Sequence, residues 1–303
     1  MLAVSANGLI DTAHGGTLPK SRRPIVEMPA WTEHCVGLEI AGTHRLIGSI
    51  SAGGFGHVFL AEHVRHHALS AVKLTDPRSR MAACVLSQEA DVLRQLFHPN
   101  IVRIQGHGEL ADGSAYLAME YARGVEVETW LEEHGRMEPS RVLNILSQLG
   151  SALDYLHGQG FVHADLKPSH LIIDEANGDA LTLLDFGCAF EAADDVRSRD
   201  VGGTPGYMPP EQACGGRCGS AADVYAMAAV ASEMLTGQLP HPHTTGSVLR
   251  AMMTEPPALP STRGVVRAGL DEAFEKALAR KPQGRFATAS EFVGALSKAF
   301  ANA

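Results

Sequence analysis

The sequence predicts an α+β chain in which a small antiparallel β-rich half precedes a larger, mainly helical one. Short β-type runs separated by Gly-rich or polar turns fill residues 44–74, and after Gly124 the apolar residues take up helical spacing instead. A length of 303 residues, with 45% hydrophobic and 19% charged side chains, suffices for two lobes sharing a cleft and argues against wholesale disorder.

Residues 1 to about 40 are rich in Gly, Pro, Ser and Thr without sustained periodicity, and read as a flexible or loosely docked leader. The runs Arg45 to Ile50, His57 to His63 and Leu69 to Leu74 then form an antiparallel meander. From Arg80 to Phe97 the apolar positions Val85, Leu86, Val92, Leu93 and Leu96 make the stripe of an amphipathic helix. Two more strands follow, Ile101 to Gly106 and Ala115 to Glu120.

In the second half, Ser140 is placed to cap a helix whose apolar face is Val142, Ile145, Leu146, Leu149, Ala152, Leu153 and Leu156, with Gly158 just past its end. The short runs Leu171 to Ile173 and Leu181 to Leu184 flank Asn177-Gly178 and read as a hairpin. Val224 to Ser232, bracketed by Asp223 and Glu233, is a core helix, far short of the ~18 apolar residues that span a bilayer. Neither an internal repeat nor a second domain is expected.

Twenty-five Lys and Arg against 34 Asp and Glu give a net charge of −9, which argues against a sequence-independent grip on nucleic acid. The five cysteines, Cys35, Cys84, Cys188, Cys214 and Cys218, are odd in number and scattered, unlike a disulfide framework, so a reducing compartment is expected. Cys214 and Cys218 have no second pair at zinc-site spacing. The start, MLAVSANGLIDTAHGG, lacks the charged and apolar regions of a secretory signal. Cytoplasmic residence without membrane attachment is the expectation, with export by another route left open.

The turn Ser51-Ala52-Gly53-Gly54-Phe55-Gly56-His57-Val58 lies between two strands rather than before a helix, which disfavours a Rossmann reading. Its glycines would let backbone N–H groups approach phosphates, though by itself the turn is equally a flexible hairpin. Lys73, in Ala71-Val72-Lys73, is alone no more than a strand-edge lysine, and Glu89 on the amphipathic helix no more than a surface carboxylate. The run His163-Ala164-Asp165-Leu166-Lys167-Pro168-Ser169-His170, followed across the hairpin by Asp185-Phe186-Gly187, carries more. Two carboxylates on opposite sides of a hairpin, with a lysine two residues after the first, suit a hydroxyl nucleophile held in line with a metal-bound phosphate.

With these motifs the chain resembles a eukaryotic-type (Hanks-type) Ser/Thr protein kinase of the bacterial kind, over residues about 44 to 300. The resemblance implies a two-lobed fold in a kinase domain at 41–300, with an N-lobe of about 41–121 holding one key helix and a helical C-lobe of about 122–300. It implies that Gly53, Phe55, Gly56 and Val58 cover ATP phosphates, with Ser51 where the first glycine is expected. Lys73 would hold the α- and β-phosphates, with Glu89 as its ion-pair partner. Met119, Glu120, Tyr121 and Ala122 would read adenine through their backbone, with Ala71 also at the nucleotide and Glu126 near the ribose. Asp165 would position the substrate hydroxyl and accept its proton, Lys167 would neutralise the γ-phosphate, and Asp185 would bind magnesium. Gly203-Thr204-Pro205-Gly206-Tyr207-Met208-Pro209-Pro210-Glu211 resembles the segment that cradles a peptide, with Thr204 contacting Asp165 and Lys167. Glu211 would pair with Arg285, and Asp223 would anchor the catalytic loop.

Three further departures stand out. Ala164 replaces the Arg onto which an activation-loop phosphate docks, and Pro209 replaces an Ala. His170 replaces the Asn expected at the second magnesium, and a hard, oxygen-preferring ion accepts imidazole poorly. The cluster Asp194, Asp195, Arg197, Arg199 and Asp200 reads as a solvated loop or a built-in substitute for phosphate, and His66-His67 and His241-Pro242-His243 read as solvated. The resemblance implies ATP-dependent transfer of the γ-phosphoryl group to protein Ser or Thr, with magnesium or manganese. The rival is a pseudokinase, a nucleotide-regulated binding or scaffold module marked by His170 and Ser51. A small-metabolite phosphotransferase is opposed by the peptide-cradling segment.

Overall fold

A computed structural model describes residues 32, 35–53, 56–192, 202–241 and 248–301. Most of the expected leader, Phe55, the charged cluster at 194–200 with Ser198, and Pro242 and His243 lie outside the described residues.

The first lobe is one antiparallel sheet of β1 (Glu39–Ile40), β2 (His44–Gly53), β3 (Gly56–His63), β4 (Leu69–Leu74), β5 (Ile104–Glu109) and β6 (Ala115–Glu120), in the order β1-β2-β3-β4-β6-β5. Strand alternation sorts its side chains onto two faces. Phe59, Ala61, Val72, Leu74 and Ala118 pack with Cys35, Ile40 and Leu46 on the outer face. The cross-strand partners Val58, Lys73 and Leu117, and beside them Leu60, Ala71 and Met119, share the other. That inner face receives α1 (Arg80–Leu93), whose Leu86, Ala90 and Leu93 are buried. Residues 35–40 are therefore part of this lobe's packing.

Ser79 caps α1, its hydroxyl accepting from the Ala82 N–H at 3.2 Å. The helix stops at Leu93, four residues before the expected end, because Phe97 turns outward and is 72% exposed while its N–H donates to the Tyr155 hydroxyl at 2.9 Å. The strand expected from Ile101 begins at Ile104; Ile101 instead bridges Leu183 in parallel, tying the lobes together.

The second lobe contains β7 (Val125–Glu126), α2 (Val127–His134), α3 (Pro139–Gly158), β8 (Phe161–Val162), β9 (Leu171–Asp174), β10 (Ala180–Leu183) and β11 (Phe190–Glu191). After them come α4 (Pro210–Ala213), α5 (Ser220–Thr236), α6 (Val248–Thr254), α7 (Leu270–Ala277) and α8 (Ala289–Ala301). The expected apolar face of α3 is fully buried against α5 and α8. Its start differs from expectation: Pro139 opens the helix, Ser140 lies inside the first turn, and Gly158 is its last helical residue. The hairpin β9–β10 is as expected, with Gly178 left-handed at φ 67°. β7 adds a third strand to it, at a place where only glycine fits: a Cβ on Gly124 would lie 2.1 Å from the Ile173 carbonyl oxygen. His241 is 4% exposed, so burial replaces the solvated position expected for it. Among the described residues, no helix is long and apolar enough to cross a membrane.

Candidate active site

The cleft between the lobes gathers the residues singled out by sequence. Lys73 donates from Nζ to Glu89 Oε2 at 2.8 Å and lies 3.6 Å from Asp185 Oδ2. Strand alternation aims Lys73 inward, and its buried partner on α1 completes an ion pair across two elements. Burial opposes the lysine's charge, but Glu89 and Asp185 together hold its pKa above the ordinary lysine value. Burial alone would also raise Asp185; the Lys73 ammonium leads the groups that together outweigh it, the Gly187 N–H among them, and keep that carboxyl well below the usual range. The lysine therefore stays cationic and Asp185 anionic at neutral pH.

Asp185 adopts left-handed backbone geometry, φ 58°, just after β10, and its Oδ1 accepts from the Gly187 N–H at 3.1 Å. A left-handed non-glycine residue costs roughly 1–3 kcal/mol and persists where its surroundings fix it. Phe186, wholly buried against the His163 ring, and the Phe186 N–H donated to Glu89 Oε1 at 3.3 Å supply that fixation.

The catalytic-loop candidate is anchored from below. Asp223, fully buried in the first turn of α5, accepts from the backbone N–H groups of His163 and Ala164, each at 2.9 Å, and from His157 Nε2 at 2.7 Å. Burial would raise its pKa, but these donors, His157 first among them, bring it below the ordinary value. His157 gave no signal in sequence, since it is one more polar residue on an amphipathic helix. Ala164 is left-handed too, φ 64°.

Above this anchor, Asp165 meets both expected neighbours. Thr204 Oγ1 donates to Asp165 Oδ1 at 2.7 Å, while Lys167 Nζ donates to Asp165 Oδ2 at 3.2 Å and to Thr204 Oγ1 at 3.1 Å. His170 Nδ1 donates to the Asp165 carbonyl at 2.9 Å, because a carbonyl can only accept. That bond leaves Nε2 with its lone pair facing Asp185 Oδ2 at 3.6 Å. Burial holds the ring neutral, with its pKa lowered to about 4.

The glycine-rich turn joins β2 to β3, with Ser51 paired to Val58 and Gly53 to Gly56. A Cβ on Gly56 would come within 2.6 Å of the Leu74 carbonyl oxygen, so this close approach needs glycine. Met119 is buried and Glu120 exposed where β6 leads to the second lobe; Ala122 is half-buried, and Glu126 pairs with Ile172 in the small sheet. Ala71, Val58 and Met119 share the Lys73 face of the sheet.

Farther down, Arg285 grips Glu211 with two bonds of 2.6 and 2.7 Å and stacks on Tyr225. The Tyr207 hydroxyl donates to Glu233 Oε2 at 2.6 Å, and Gln212, buried beside Glu211, reaches the catalytic loop. Neither pairing was legible in the sequence.

Comparison with known proteins gives a consistent family. The family model for the protein kinase domain matches residues 44–288. The chain is 34% identical over 301 residues to the serine/threonine-protein kinase Pkn1 of Myxococcus xanthus, covering 96% of this chain and 42% of that protein. It is 32% identical over 258 residues to the serine/threonine-protein kinase PknD of Mycobacterium tuberculosis, covering 82% of this chain and 38% of that one. The chain thus spans less than half the length of these two relatives. The crystal structure of the Mycobacterium tuberculosis PknI kinase domain superposes with a TM-score of 0.68 at 25% identity, covering 87% of this chain and 98% of that one. The two lobes, the residues gathered between them and these relatives lead to one assignment: the chain belongs to the protein kinase family, as a bacterial-type Ser/Thr kinase domain.

Proposed function

We propose that the chain is an ATP-dependent protein kinase that transfers the γ-phosphoryl group to Ser or Thr hydroxyls of proteins. The observation that carries this reading is the joint presence, in one cleft, of the Lys73–Glu89–Asp185 cluster and the Asp165–Lys167–Thr204 cluster, with His170 between Asp165 and Asp185. The domain is taken as residues 41–300, with lobes meeting near 121–122, preceded by the leader of residues 1–40, whose last residues, 35–40, pack onto the first sheet.

The charges in the cleft fit a polyphosphate with a divalent ion. ATP with magnesium or manganese supplies the transferable group and neutralises its charge. Lys73 would hold the α- and β-phosphates, Gly53, Gly56, Val58 and Ser51 would cover them, and Met119, Glu120, Ala122, Ala71 and Glu126 would hold the nucleoside. Asp185 and His170 would hold the ion. Among the described residues no three His, Cys, Asp or Glu side chains converge to bind a metal by themselves, so phosphate or water must complete its shell. Asp165 orients the attacking hydroxyl and takes its proton, and Lys167 faces the transferred charge.

A pseudokinase is the second reading, favoured by one observation: the lone pair that His170 presents beside Asp185 belongs to nitrogen rather than oxygen. Purified protein with radiolabelled ATP and a generic basic protein separates the two. Labelled product supports the kinase; ATP-dependent thermal stabilisation without product supports the binding module.

A further inference from the structure

Gln212 stands in α4 directly after Glu211 and is 4% exposed. Its carboxamide nitrogen donates to two backbone carbonyls from different segments, Ala164 at 2.7 Å and Gly202 at 2.8 Å. An amide NH₂ has two protons, and both are used here.

The two acceptors flank the Asp165–Thr204 contact. Ala164 immediately precedes Asp165, and Gly202 lies two residues before Thr204. The left-handed Ala164 is held at both ends, its N–H by Asp223 Oδ1 at 2.9 Å and its carbonyl by Gln212. Gly203 leaves the space this needs: a Cβ there would lie 2.6 Å from Gln212 Nε2 and 2.9 Å from Met208 Cε. The Ala164 methyl brings no charge to the loop, so the bonds through Gln212 add a neutral connection between the two segments beside the Asp165–Thr204 and Lys167–Thr204 contacts.

We propose that Gln212 is a positioning residue that clamps the peptide before Asp165 to the Gly202–Gly203 peptide ahead of Thr204, joining the catalytic loop to the end of the activation segment without a phosphate. The proposal rests on the kinase reading for its kinetic consequences, while the clamp itself is observable without turnover.

Gln212→Ala should lower kcat about tenfold or more while moving the KM for ATP less than about threefold, because the loss strands the buried Ala164 carbonyl beside Asp165, releases the activation segment at Gly202 and leaves the Lys73 side intact. Gln212→Glu sets a carboxylate against two carbonyls and should be equally slow near neutral pH. Once protonated it donates one bond, so its rate relative to wild type should rise from about pH 8 to about pH 6. A residue that merely supports the fold gives no such profile. Gly203→Ala, pressing on the amide from the other side, should also slow the reaction, and the two substitutions should combine less than additively. Hydrogen exchange at residues 163–167 and 202–208 should increase in Gln212→Ala, or in Gly203→Ala if the former does not fold. Wild-type rate in Gln212→Ala, additive losses, or a Gln212→Glu profile parallel to wild type would overturn the kinetic role. If the wild type itself is inert, the kinase reading fails, and unchanged exchange in these segments separately overturns the clamp.

Discussion

Thr204 donates its hydroxyl proton to Asp165 across 2.7 Å, although the two residues belong to segments 39 positions apart. Lys167 touches both, so a carboxylate, a hydroxyl and an ammonium meet at the mouth of the cleft. The carboxylate keeps its orientation because the backbone beneath it is bonded to the buried Asp223.

Lys73→Ala and Asp185→Ala should each reduce phosphoryl transfer by more than about a hundredfold, about 3 kcal/mol of transition-state stabilisation. The first removes the cation beside Glu89 and Asp185; the second removes the carboxylate that faces His170. Steady-state kinetics check this, and near-wild-type turnover in either variant would remove that residue from the machinery.

His170→Asn should raise magnesium-dependent turnover and shift rate more than ATP affinity. An amide oxygen suits a hard ion, whereas the present Nε2 lone pair favours manganese. Transfer measured across both metals should show manganese preferred in wild type and the preference reduced in the variant. Equal metal preference in both proteins would mean that His170 does not ligate the ion.

The same ring sets a stability window. Burial lowers the folded pKa of His170 to about 4, against 6.5 for a free imidazole. Between those values the unfolded chain binds a proton the folded chain refuses, so stability falls as pH drops through the window. Denaturant titrations should show wild type losing up to about 3 kcal/mol more than His170→Asn between about pH 7 and about pH 4. Parallel curves would place the ring in contact with solvent.

Activity should not require activation-loop phosphorylation. Ala164 offers no guanidinium for a phosphate, and Ser198 is the only hydroxyl residue between Asp185 and Thr204. Phosphatase-treated protein and Ser198→Ala should both retain most of the rate in a transfer assay. Collapse in both would point to another basic site that reads the phosphate.

Much of this site was written in side-chain type and spacing. Lys73, Glu89, Asp165, Lys167, Thr204 and Asp185 sit in short motifs, and the structure brings all six into one cleft. The long helices were legible because three or more turns of apolar residues leave an unmistakable stripe, as along α3. The two-residue strands β7, β8 and β11 were not, since so short a segment has no period. Nor was the left-handed backbone at Ala164, a residue with no preference for that geometry, which persists because Asp223 and Gln212 hold its two ends. Gln212 itself stood beside the more conspicuous Glu211 and carried no pattern of its own.

We propose intrinsic phosphoryl transfer, with Asp165 as the residue that orients and deprotonates the acceptor hydroxyl. Its most direct test is γ-phosphoryl transfer from radiolabelled ATP by purified wild type beside Asp165→Ala, with magnesium and manganese each present and ATP binding followed in parallel. Labelled Ser or Thr product from wild type, with Asp165→Ala binding ATP but losing transfer, is the predicted result. Transfer undiminished in Asp165→Ala, or ATP binding without any transfer by wild type, would contradict it.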